Sequence, residues 1–117
     1  MAYLRHLVNG NTVTVYQLGE STLLGRSPEC PIKIEDPTVS GRHASIEKLK
    51  DGWKMVDQNS TNGIMANGLK VSEVILEQGV IVSIGTHEFE YLATLPNDLE
   101  RTLKIKKSWI PGVYFTE

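Results

Sequence analysis

From position 2 to position 92 the chain alternates apolar and polar residues in short runs, and turn-forming residues punctuate it every few positions. Positions 2–8 and 12–18 are two such runs on either side of Asn9-Gly10-Asn11. Successive side chains of a strand face opposite ways, so this alternation predicts half-buried strands, and Asn-Gly is the pair that a tight hairpin turn favours. A third strand is expected over 21–26. Pro28 and Pro31 then interrupt any ladder before the minimal strand 32–34. Over 43–49 the alternation sets Ala44 and Ile46 against His43, Ser45, Glu47 and Leu49, and periodicity leaves the inward face open. Asp51-Gly52 turns the chain into 53–56, and the pieces 64–66, 69–71 and 74–76 are separated by Asn67-Gly68 and Ser72-Glu73. A last hairpin spans 80–92 around Gly85-Thr86, with Phe89 and Tyr91 on one face; Trp53, Phe89 and Tyr91 are the expected aromatic core.

No stretch before position 95 sustains a helical period, and many short strands at regular spacing predict a β-sandwich or barrel. Residues 96–117 differ. Asn97 or Asp98 can cap a helix, Leu99 and Leu103 lie four apart, positive charge gathers over 101–107, and Pro111-Gly112 can stop it. Leu103 and Ile105 also alternate with lysines as a strand would; the expectation is a short helix. The reading is therefore one β domain over 1–95 and a C-terminal extension over 96–117.

Composition narrows the function. With 117 residues, 40% of them hydrophobic, there is material for one core. A net charge of −2 opposes a nucleic-acid interface, which normally needs a basic face, so any anion site has to be local. The single Cys30 has no internal disulfide partner and belongs to no metal-ligand spacing, which fits a reducing compartment. No apolar run is long enough to span a membrane, and the amino terminus lacks the apolar core of a secretory signal. A soluble, cytoplasmic protein without a metal or cofactor is expected.

The chemistry concentrates in LLGRS at 23–27, VSGRHASI at 39–46 and DQNSTNGIMANG at 57–68. Arg26 and Arg42 bring guanidinium forks, Ser40, Ser60 and Thr61 hydroxyls, and Asn62 and Asn67 amides, in loops where glycines allow close approach to backbone N–H groups. That inventory suits a tetrahedral dianion on an extended peptide, whose acceptor oxygens ask for charged forks beside oriented neutral donors. Arginine suits it better than lysine because its planar fork can bond two oxygens together.

Gly25-Arg26, Ser40-x-x-His43, Ser60-Thr61-Asn62-Gly63 and Asn67-Gly68, in that order and at strand-length spacing, resemble the forkhead-associated (FHA) domain family over roughly residues 2–95. The resemblance implies an all-β, FHA-like (SMAD/FHA) sandwich of two sheets and about eleven short strands. Its loops at one end bind phosphothreonine peptides, so the implied partner is a phosphorylated substrate of a Ser/Thr kinase and the implied role is non-enzymatic signalling. By resemblance, Arg26 contacts the phosphate or adjacent backbone, and Ser40 donates to a phosphate oxygen. Thr61 touches the phosphate or lines the pocket for the threonine methyl, and Asn62 holds the ligand main chain. Gly25, His43, Gly63 and Asn67 support the site. Gly41 departs from the family, which often has Asn or Arg there; Arg42 beside it can restore part of the charge.

Two other readings compete. A scaffold of the same fold could bind partners without phosphate. A small hydrolase would use Ser40 and His43 with Asp36 or Asp57, but the Gly-x-Ser-x-Gly elbow is absent, and a hydrogen-bonded structural histidine accounts for His43. His6 and His87 read as ordinary strand residues rather than metal ligands. The basic run from Arg101 with Trp109, Tyr114 and Phe115 reads as a solvated helix face against contact with an acidic partner or a membrane surface. Thr102, with Ile105 three residues on, raises self-association: a phosphorylated tail could occupy the site of its own or a second copy, against a tail simply docked on the sandwich.

Overall fold

The computed structural model describes residues 2–95 and the backbone of 105–107. Eleven strands precede position 93: β1 (Tyr3–Val8), β2 (Asn11–Gln17), β3 (Ser21–Gly25), β4 (Ile32–Lys33), β5 (Ala44–Leu49), β6 (Gly52–Asp57), β7 (Ile64–Ala66), β8 (Leu69–Val71), β9 (Glu73–Leu76), β10 (Ile81–Ile84) and β11 (His87–Leu92). A twelfth, β12 (Ile105–Lys107), follows. They form two sheets, ordered β12-β2-β1-β11-β10-β7-β8 and β4-β3-β5-β6-β9.

Turn chemistry sets the hairpins. Asn9 and Gly10 have φ of 53° and 80°, and Asn67 and Gly68 have 54° and 77°. Positive φ at both central residues gives the turn whose twist matches the flanking strands, and Asn and Gly tolerate it best. Gly85 (φ 63°) opens the β10–β11 turn, where Ile84 pairs with His87. In β1 the pairing with β2 slips between His6 and Leu7. This sets Leu7 against Thr12 and His6 against Thr14, so Val13 is the extra residue of a bulge.

The inner faces enclose Leu4, Leu24, Ile46, Met55, Ile64 and Phe89, all fully buried. Each such side chain contributes roughly 1.5–3 kcal/mol by leaving water. Ala44 and Ile46 both face inward, which resolves the direction of β5. Trp53, Phe89 and Tyr91 join the same core.

The extension corrects the expected helix over its described part. Ile105–Lys107 is a strand running parallel to β2, with Ile105 opposite Val15. The outer edge of β2 offers unpaired backbone groups, and a segment alternating apolar and lysine residues suits a ladder better than a 3.6-residue turn. The remaining tail positions, including Thr102 on which self-association turns, lie outside the described residues.

Candidate functional site

The ladder between β3 and β5 continues past the ends of both strands. The Arg26 N–H donates to the Ser40 carbonyl (3.0 Å), the Ser27 N–H to the Gly41 carbonyl (3.1 Å) and the His43 N–H to the Leu24 carbonyl (2.8 Å). The segment after β3 is thereby bound edge to edge with the segment before β5. Gly25 makes the approach possible: a Cβ there would lie 2.1 Å from the Gly41 oxygen, a backbone atom that cannot turn aside.

His43 joins this pair of loops to a third. Fully buried, its Nδ1 accepts the Ser40 N–H (3.1 Å), and its Nε2 lies 2.8 Å from the Gly63 carbonyl oxygen. An N–H facing Nδ1 and a carbonyl facing Nε2 assign the neutral tautomer with the proton on Nε2. The third loop is braced internally. The Ser60 hydroxyl bonds to Asp57 and accepts the Gly63 N–H (2.9 Å), while the Ser60 N–H reaches the other Asp57 oxygen (3.2 Å). Gln58 fastens its base, donating its N–H to the His43 carbonyl (2.9 Å) and its amide to Ser45 Oγ (2.8 Å).

Two side chains stitch the loops at the surface. Ser40 Oγ accepts the Thr61 N–H at 3.0 Å, and the Asn62 amide donates to the Thr38 carbonyl at 2.8 Å. The Ser40 oxygen is thus engaged as an acceptor while its own proton remains available to donate. Asn62 keeps its carbonyl and a second N–H. Arg26 is exposed and forms no ion pair among the described residues. Arg26, Ser40, Thr61 and Asn62 therefore come together on adjoining loops, with guanidinium, hydroxyl and amide groups facing solvent.

The other expected residues are placed differently. Arg42 is exposed but bonded to Glu29, and this contact lowers the Glu29 carboxyl and raises the Arg42 guanidinium from their ordinary values. Gly41 is exposed, and its carbonyl also accepts from the buried Cys30 thiol at 3.2 Å. Burial, then the nearby Glu29 charge, raises that thiol above its usual range. Gly63 holds φ 78° at the start of β7. Asn67 lies in the β7–β8 turn, at the far end of β7 from Gly63, where it shapes the hairpin.

Several participants carried little sequence signal. Thr38 contributes a backbone carbonyl, which no side-chain pattern announces. Its position comes from Asp36, whose carboxylate accepts both the Thr38 N–H (2.9 Å) and hydroxyl (2.7 Å), lowering the Asp36 carboxyl. Asp36-Pro37-Thr38 is a readable turn signal for that geometry. Glu29, by contrast, looks like any surface charge.

A two-sheet sandwich with loop-borne polar groups gathered at one end defines a recognition domain that presents its site on inter-strand loops. Residues 22–85 match the family model described as FHA domain. The chain belongs to the FHA domain family. It is 34% identical over 73 residues to an oxoglutarate dehydrogenase inhibitor of Corynebacterium jeikeium, covering 62% of this chain. This chain spans about half, 51%, of that relative. Among solved structures, the FhaA FHA domain complexed with the intracellular domain of Rv3910 matches with a TM-score of 0.69 and 30% identity, covering 78% of this chain and 99% of that one. Mycobacterium tuberculosis EmbR in complex with a low affinity phosphopeptide matches with a TM-score of 0.71 and 27% identity, over 81% of this chain and 25% of that one.

Proposed function

We propose that this domain is a phosphothreonine-dependent interaction module whose ligand lies across the Arg26, Ser40 and Thr61–Asn62 loops. The observation that carries the reading is the Ser40 hydroxyl, which accepts from the Thr61 N–H and so keeps its own proton to donate, on a segment whose backbone is bonded to that of Arg26. A phosphate there would take charge-assisted bonds from the neutral hydroxyl and from the guanidinium, each worth about 1.5–3 kcal/mol. Thr61 would meet the phosphate or the threonine methyl, and Asn62 would hold the peptide main chain. Phosphopeptide recognition by a similar domain supports the assignment.

The role we assign is binding without catalysis. Both ring nitrogens of His43 are occupied by backbone groups, so His43 cannot take a proton from Ser40 Oγ as a general base would. The partner in this reading is a protein phosphorylated by a Ser/Thr kinase, and the compartment is the cytoplasm. Among the described residues no helix is long and apolar enough to cross a membrane. We assign recognition to residues 1–95 and treat 96–117 as an extension that adds β12 to the sheet.

Calorimetry with one peptide in phosphothreonine, phosphoserine and plain forms tests the proposal. The phosphothreonine form should bind much the tightest. Equal affinity for the plain form would replace this reading with the phosphorylation-independent scaffold.

A further inference from the structure

Resting on the phosphopeptide reading, we propose that His87, at the start of β11, is a positioning residue for ligand binding: through Asp36 and the Thr38 carbonyl it fixes the Asn62 side chain that holds the peptide main chain. Every link is a direct contact. His87 Nε2 lies 3.1 Å from Asp36 Oδ2, and Asp36 Oδ1 accepts the Thr38 N–H at 2.9 Å and the Thr38 hydroxyl at 2.7 Å. The Thr38 carbonyl in turn accepts from the Asn62 amide at 2.8 Å. An ionised carboxylate only accepts, so His87 Nε2 carries the proton of the first bond. Its other ring nitrogen, Nδ1, is anchored on the buried His6 at 2.8 Å.

The 36–39 turn closes on itself, with the Val39 N–H donating to the Asp36 carbonyl at 2.9 Å. Val39 buries the end of the turn in the core, and His87 fastens its start to the larger sheet. The β10–β11 turn supports Thr38 from the same side. A Cβ on Gly85 would lie 3.0 Å from Thr38 Oγ1, so that hydroxyl sits close over a residue without a side chain. The His87 and Asp36 side chains are only 14% and 20% exposed, so water competes little for their bond. Asn62, by contrast, is exposed, and its rotamer decides whether its carbonyl and second N–H can meet a peptide unit. Holding that rotamer before the ligand arrives removes an ordering cost from binding. The ligand loops thus depend on a residue that lies on none of them.

Two substitutions separate this role from packing. The side-chain amide of Gln takes roughly the place of imidazole Nε2 and that of Asn the place of Nδ1, so His87→Gln can still donate to Asp36 whereas His87→Asn keeps only the His6 side. In calorimetry with one phosphothreonine peptide, below the melt of every variant, His87→Asn should lose about three- to tenfold in affinity and His87→Gln should restore most of it. Combined with Asn62→Ala, the two variants should bind alike, since the relay then has nothing to position. Three-bond couplings of Asn62 in the peptide-free wild type should report one χ1 rotamer. Three results would each overturn the His87 assignment while the phosphate dependence of the wild type stands: equal affinities for His87→Asn and His87→Gln, a difference between them that persists with Asn62→Ala, or rotamer averaging at Asn62 in the wild type. Absence of phosphothreonine binding in the wild type would overturn the functional reading and this inference together.

Discussion

His6 on β1 and His87 on β11 are hydrogen-bonded ring to ring, Nε2 to Nδ1 at 2.8 Å, across the middle of the larger sheet. The contact continues outward. His87 Nε2 lies 3.1 Å from Asp36 Oδ2, Asp36 holds Thr38, and the Thr38 carbonyl holds Asn62. His6 is buried and stacked on Phe89, with ring centroids 4.6 Å apart. Only one proton fits between the two rings, since N–H groups on both facing atoms would oppose each other. Burial, then repulsion from His87, lowers His6 from its ordinary 6.5 to about 4.

Acid sensitivity follows with a definite sign. Above pH 6.5 His6 is neutral both folded and unfolded, so its contribution is complete. Between 6.5 and about 4 the unfolded chain takes up a proton that the folded one refuses, and stability falls; below 4 the term is spent. The loss is on the order of 3 kcal/mol. Urea unfolding from pH 4 to 8 should show a shallower acid slope for His6→Gln than for wild type. Parallel slopes would mean that His6 is not the titrating group.

His43→Ala should damage fold and site together. It leaves the Ser40 N–H and the Gly63 carbonyl without partners in the interior, each costing about 1–3 kcal/mol. The expected drop in Tm is roughly 10 °C or more, with weakened phosphopeptide binding.

Arg26→Ala should separate the two. The side chain is exposed and bonds nothing among the described residues, so stability should stay within about 0.5 kcal/mol of wild type. Phosphopeptide affinity should fall about tenfold or more, read by calorimetry. A lowered Tm with unchanged affinity would reverse the roles given to Arg26 and His43.

Gly25→Ala should act through the backbone. The new methyl would meet the Gly41 carbonyl, so the 26–27 and 40–43 segments have to part, at about 1–3 kcal/mol. Amide chemical shifts should move most at Ser40, Gly41 and His43.

Glu29→Gln should strengthen binding. In the folded chain Glu29 neutralises Arg42, the cation next to Gly41, and adds negative charge beside the ligand loops. Removing its charge should raise phosphopeptide affinity about two- to threefold at low salt, and the gain should shrink as salt increases. Arg42→Ala in the wild-type background should change affinity less than Arg26→Ala does.

Strands and turns were legible in the sequence because their causes are local. Alternation decides which residues of β1, β6 and β11 are buried, and the φ preferences of Asn and Gly close the β1–β2 and β7–β8 hairpins. Arg26, Ser40, Thr61 and Asn62 could be singled out because the chemistry of the proposed ligand calls for such side chains, and the structure brings them onto adjoining loops. The tail misled because its capping residues and leucine spacing suit a helix, while the strand at Ile105–Lys107 depends on the edge of β2, some ninety positions earlier.

What tertiary structure alone decided is which charges are free and which backbone groups meet. Arg42 and Lys70 look equivalent in the sequence, yet one is tied to Glu29 and the other is laid over Gly63. Ser40 lies 21 residues from Thr61, and His6 lies 81 from His87. Nothing in a window of neighbouring residues encodes such contacts. They exist because two sheets must close on one core, and that closure sets which loops touch and which cations find a carboxylate.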